Sequence, residues 1–240
     1  MKFTACVAVL LVSVLGAEAY GAGVAINFVG TKPDNETLVA DSEVGVAGVA
    51  QKHWNNLTCT ASDPNGHGNH GELKSVVNDR GDKVSGMSVT VDATPTTGFW
   101  PADGSAWGFS GDNLMMQLGE IHGRPRITIT GIPYAKYDVY LYASAGANGG
   151  QGSASIAPAP GAKGQVSTTR TWFYNFNWQS GQFVKSTAAT LDEAKKSSGS
   201  NYVVFPGNTA KSITVDWNGT LGGGWTGVSA IQIVDRGTAK

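Results

Sequence analysis

Residues 126–142 read RITITGIPYAKYDVYLY. Ile127 and Ile129 alternate with threonines, Gly131-Ile132-Pro133 interrupts, and Tyr137, Val139 and Leu141 then alternate with Asp138, Tyr140 and Tyr142. Alternation of period two on both sides of a Gly/Pro break marks two strands, each with one face buried. A helix is disfavoured here, because Thr, Ile, Val and Tyr lose side-chain freedom in one while Gly and Pro interrupt it. The break is longer than a two-residue hairpin turn, so the strands either pair directly or bridge two sheets.

The same alternation recurs along the chain. Residues 23–30, GVAINFVG, set Val24, Ile26 and Phe28 on one face, and further strands are predicted over 73–77, 84–91, 168–178, 202–205, 212–217 and 228–234. One short helical turn is predicted over 191–196, where Thr190 and Glu193 have the spacing of a capping box. Residues 57–71, 92–111 and 143–164 read as loops or surface excursions from their Gly, Pro, Ser and Ala content. Roughly ten short strands and at most one short helix predict an all-β fold, an antiparallel β-sandwich of the jelly-roll kind with long loops.

Residues 1–19 carry Lys2, an apolar run over 5–15 and a small-x-small end at Ala17-Glu18-Ala19, the pattern of a cleaved secretory signal peptide. The expected mature chain, 20–240, is one domain that is secreted and extracellular, with no later stretch apolar enough to span a bilayer. Its formal net charge of −1, with 15% charged residues, gives no electrostatic footing for nucleic acid. Of two cysteines only Cys59 follows the signal, so an internal disulfide is excluded and a buried thiol is expected.

The segments GVAINFVG (23–30), YDVYLY (137–142) and GVSAIQIV (227–234), in that order, resemble the malectin-like and galactose-binding-like β-sandwiches. Residues 25–30, 54–56, 132–142 and 201–205 are also similar to a group of exported bacterial proteins with an INFVG start, a WNN segment, a YDVYVY-like centre and an NYVVF strand. These resemblances imply a sandwich that binds glycans. Fold alone does not decide function.

Sugar rings combine apolar faces with a rim of hydroxyls, so a sugar site pairs flat aromatics with fixed amides or carboxylates. The run WFYNFNW (172–178) sends Trp172, Tyr174, Phe176 and Trp178 one way and Phe173, Asn175 and Asn177 the other. The aromatic side serves equally as core, and Trp178, at the end beside a polar turn, is its expected exposed member. Trp54-Asn55, Trp107 and Trp225 stand in or beside Gly/Asn-rich loops, so the expected ligand contacts are Trp54, Asn55, Trp107, Asn175, Asn177, Trp178 and Trp225. Asp63, His67 and His70 offer donors for a divalent metal, calcium or a transition metal, against the alternative of a solvated turn. Asn35, Asn56 and Asn218 open N-glycosylation sequons, which matter in a eukaryotic host.

No GxSxG, P-loop or dinucleotide fingerprint occurs. The expected function is a non-catalytic polysaccharide-binding protein. Its rivals are a small secreted lyase or glycoside hydrolase, for which 121–124 with Tyr134 or Tyr137 is the one local cluster, and a structural matrix or envelope protein.

Overall fold

Arg126–Thr130 and Tyr137–Ala145 are both strands, and they lie in different sheets, so the central stretch bridges the sandwich. Gly131 makes the crossing. It has a φ of +67°, and a Cβ there would stand 1.9 Å from the carbonyl oxygen of Gly86, so only glycine fits. The Ile132 amide then donates to the Lys211 carbonyl at 2.9 Å, fixing the exit.

The computed structural model describes residues 23–30, 37–60, 70–92, 99–100, 111–117, 120–145, 149–178, 181–222 and 226–237. Among these, the first half of the chain holds β1 (Gly23–Gly30), β2 (Asn55–Cys59), β3 (His70–Leu73), β4 (Val76–Val77), β5 (Lys83–Val84), β6 (Ser88–Asp92), β7 (Phe99–Trp100), α1 (Gly111–Gln117) and β8 (Glu120–His122). The second half holds β9 (Arg126–Thr130), β10 (Tyr137–Ala145), β11 (Gly150–Pro158), β12 (Trp172–Phe176), α2 (Leu191–Lys196), β13 (Tyr202–Asn208), β14 (Ile213–Asn218) and β15 (Thr226–Asp235).

One sheet has seven strands, in the order β13-β10-β15-β1-β2, with β8 added to β15 and β7 to β8. The other has six, β12-β11-β14-β9-β6-β3, and β4 and β5 pair separately. The fold is an all-β, predominantly antiparallel sandwich; β1 and β2 run parallel, an exception to the expected pattern. From β12 onward successive strands change sheets, so each brings one face to a shared interior. Val24, Ile26 and Phe28 of β1, Val139 and Leu141 of β10 and Ile231 and Ile233 of β15 meet Val89, Ile127, Ile129, Val215 and Trp217 there. Each such side chain fully buried contributes about 1.5–3 kcal/mol relative to exposure.

Three expectations are corrected. First, residues 143–164 are not a surface excursion: β11 lies inside the six-stranded sheet, between β12 and β14. Its small residues make room for large neighbours. Ala154 pairs with both Trp172 and Trp217, and Gly152 pairs with Tyr174, whose Oη would lie 2.0 Å from an added Cβ. Second, 57–71 is not all loop, because Leu57–Cys59 complete β2 and His70–Gly71 open β3. Third, α1 joins the expected helix, α2, as a second one.

β10 also departs from the one-face pattern, since all nine of its residues are buried. A second apolar cluster explains this. Tyr140 and Tyr142, with Ala25, Ala230 and Val234, are covered on the outer face by Leu38, Val44, Val49 and Trp54 and by Leu114, Met115 and Met116 of α1. Polar bonds fasten this layer down. Gln232 donates to the Gln51 Oε1 at 3.1 Å and accepts from the Tyr142 hydroxyl at 2.8 Å, while Gly45 N donates to Asp112 Oδ1 at 2.8 Å. Buried Asp138 is matched by Arg236, whose Nε donates to Oδ2 at 2.7 Å, and by the Gly207 amide at 2.8 Å.

Candidate functional site

On β12 the aromatic side faces inward. Tyr174 is fully buried against Trp217, ring centroids 5.0 Å apart, and its hydroxyl bonds to Thr226 Oγ1. Trp172 and Phe176 are half-buried against the same core. Asn175 and Asn177 lie on the opposite, outward side. Asn175 Oδ1 accepts from Gln151 Nε2 at 2.7 Å, and the exposed Asn177 reaches the Ser198 carbonyl with its Nδ2 at 3.4 Å.

Trp178 is not a free platform. It is half-buried against Phe183, centroids 5.1 Å apart, and its Nε1 donates to Asn113 Oδ1 in α1 at 3.1 Å. Trp54 and Asn55 lie inside the fold rather than on a ligand surface. His53 takes a φ of +54°, uncommon outside glycine, and turns the chain so that Trp54, 4% exposed, points inward and donates to the Gln51 carbonyl at 3.0 Å. Asn55 ties β1 to β4, donating to the Ala25 and Val77 carbonyls at 2.9 Å and accepting from Val77 N at 2.8 Å. Trp107, Trp225, Asp63, His67 and Asn35 lie outside the described residues.

His70 is exposed on β3, its Nδ1 3.7 Å from Asp92 Oδ1, and among the described residues no group of three His, Cys, Asp or Glu side chains is placed to hold a metal ion. Of the sequon asparagines, Asn56 is engaged: its Oδ1 accepts from Asn27 Nδ2 and Leu38 N, and its Nδ2 donates to the Leu38 carbonyl. Asn218 is half-exposed, and its Oδ1 accepts from the amide and hydroxyl of Thr220. Tyr137, from the enzyme cluster, is buried and donates its hydroxyl to the Ala210 carbonyl at 2.7 Å; burial pushes its phenol upward. Cys59 is a buried free thiol, and burial raises its pKa to about 12, so it is inert at neutral pH.

At the edge of β12, where Phe173 bridges to Ala188 and Phe176 to Ser200, lies a cleft of about 330 Å³. Its lining includes Lys185, Ser186 and Thr187, Glu193 and Ser197, and Ser200, which adjoins β12. Ser200 Oγ accepts from Asn175 N at 3.2 Å, which leaves its own proton to donate. Ser186 Oγ bonds to the Phe173 carbonyl. Helix capping fixes Glu193: Thr190 Oγ1 accepts from Glu193 N at 3.2 Å, while Glu193 Oε2 accepts from Ala189 N at 2.6 Å. Asn175 and Asn177 reach the chain just after α2, Asn175 Nδ2 standing 3.5 Å from the Ser197 carbonyl and Asn177 Nδ2 3.4 Å from that of Ser198.

Sequence reasoning reached Asn175, Asn177 and the capped helix but missed Lys185, Glu193 and Ser200 as one constellation. No local signal marks them, because they come together only through the folding of the connection from β12 to β13, which carries α2. No family model matches the chain, and no curated protein matches it significantly. No helix among the described residues is long and apolar enough to cross a membrane.

Proposed function

We propose that this is a secreted carbohydrate-binding protein without catalysis of its own, a sandwich of the malectin-like and galactose-binding-like kind, and that its ligand is a polysaccharide or glycan. The observation that carries the reading is the cleft at the edge of β12, lined by serine and threonine hydroxyls, an ammonium and a carboxylate, with Asn175 bonded to its Ser200 and Ser197. Such a lining suits a polyhydroxylated ligand, because each sugar hydroxyl both donates and accepts. Glycoside hydrolysis needs two carboxyl groups set across a bond. The lining of this cleft supplies one, Glu193, and its Oε2 already caps the start of α2.

The deciding experiment incubates the purified protein with a panel of soluble and insoluble polysaccharides. It follows retention together with new reducing ends and unsaturated-uronate absorbance. Retention without product is the expected result. Sustained product release transfers the protein to the polysaccharide-degrading enzymes, and neither retention nor product leaves a structural role.

A further inference from the structure

The two charged groups of the cleft identify a class of ligand. Lys185 and Glu193 both line the cleft and are not ion-paired with each other. The Glu193 carboxylate is held in place, since one oxygen accepts from Ala189 N and the residue's own amide is bound by Thr190. Its other oxygen is left as an acceptor. Ser200, 3% exposed, adds a hydroxyl whose proton is uncommitted, and Thr187 adds an exposed one.

We infer that the cleft binds one ring of a neutral sugar through adjacent hydroxyls, Lys185 donating to one and Glu193 accepting from the next, and that it selects against uronate, sulfated and amino sugars. This rests on the glycan-binding reading above. A diol matches both groups: a sugar hydroxyl accepts from the ammonium and its neighbour donates to the carboxylate. Both are charge-assisted bonds, roughly twice as strong as neutral ones. An acidic sugar gains at Lys185 but brings a like charge to Glu193, and an amino sugar does the reverse at Lys185; such juxtapositions act as rejection. The volume, about 330 Å³, is at the lower end of ligand sites, which run from about 300 to 1,000 Å³. A single ring fits, with the remainder of a chain in solvent.

The test is affinity electrophoresis of the full chain in gels containing neutral polysaccharides (β-glucan, galactan, mannan) or acidic ones (alginate, pectate, a sulfated galactan), with Glu193→Gln and Lys185→Met as variants. Glu193→Gln keeps an oxygen for Ala189 N, and Lys185→Met keeps the apolar stem, so thermal melts should stay close to wild type. The two changes lie on different segments, so one remains informative if the other fails to fold. Retardation by at least one neutral polymer, weakened about tenfold by each variant, is expected. Preferential retention by acidic polymers, with Glu193→Gln binding them more tightly, overturns the neutral-sugar inference and leaves the glycan reading standing. Neutral retention that neither variant changes also overturns it, because the glycan then binds elsewhere. Failure of every polymer in both classes to retard the protein overturns the glycan reading itself, and the inference with it.

Discussion

The outer face of the seven-stranded sheet and the outer face of the six-stranded sheet have opposite fates. On the first, Tyr140, Tyr142 and Ala230 disappear beneath residues 38–54, α1 and the side chains of Trp178 and Phe183. On the second, Thr90, Thr128 and Thr214 stand in register across β6, β9 and β14, half-exposed, with no such layer over them among the described residues. The difference corrects a habit of reading. A tryptophan in a Gly/Asn-rich loop looks available for a ligand, but a loop laid over a sheet is itself a layer of core, and its aromatic residues are then what holds it down. Binding chemistry is better sought where the six-stranded sheet ends at β12, beside amides and hydroxyls that have spare valence.

If that contrast is sound, truncating the covering layer costs far more than altering the open face. Trp54→Ala should have the largest effect, about 3–5 kcal/mol of stability in a denaturant titration, the usual cost for a buried aromatic. It removes the edge contact with Tyr142, at 6.2 Å between centroids, and the bond to the Gln51 carbonyl. A loss under about 1 kcal/mol would mean the layer is not packed and would reopen Trp54 as a ligand contact. Trp178→Ala comes next, at about 1–3 kcal/mol, since its ring is half-buried and its indole nitrogen anchors α1 through Asn113. An unchanged melt with weakened polysaccharide binding would restore Trp178 to the ligand surface.

The same contrast separates what could be read from the chain and what could not. The strands over 126–142 and the capped helix α2 were legible because their signals are local: an alternation, a Gly/Pro break and a Thr-x-x-Glu spacing. β11 was not, because GQGSASIA is small for the sake of its neighbours' rings, and nothing within the segment reveals Trp172, Tyr174 and Trp217 lying alongside it. Full burial of β10 was equally hidden: Asp138, Tyr140 and Tyr142 look like a solvent face until Arg236, Tyr202 and the covering layer are known. For the site, the two asparagines on the outward side of β12 followed from alternation. Lys185 and Glu193 meet around one space only through the folding of the connection, which no spacing rule encodes.

On the open face the expected effect is small. Thr128→Val keeps the β-branch, removes one hydroxyl from the threonine row and should change stability by about 0.5 kcal/mol or less. A larger loss would show that the row is an ordered hydrogen-bonded array, and the two faces would then differ less than their burial implies.

The smallest effect returns to the covered face and concerns how tightly its layer is closed. Asp112, in the first turn of α1, is half-buried; burial raises its pKa above 3.8, and the bond from Gly45 N at 2.8 Å pulls the other way. A carboxyl with a raised pKa binds its proton more tightly in the folded chain than in the unfolded one. Its favourable contribution is therefore complete below the ordinary aspartate range and is lost as pH rises through the folded value. Asp112→Asn keeps an oxygen for Gly45 and has no charge to desolvate, so stability measured as wild type minus variant should fall slightly as pH rises from below the ordinary aspartate range to neutrality, the carboxylate being one that solvent still partly screens. A flat difference across that range would mean the carboxylate is as well solvated as in the unfolded chain, so that α1 does not press on residues 44–51 as closely as the bond to Gly45 implies. A rising difference would reverse the balance, making the charged bond to Gly45 the stronger influence and Asp112 a clasp that needs its charge.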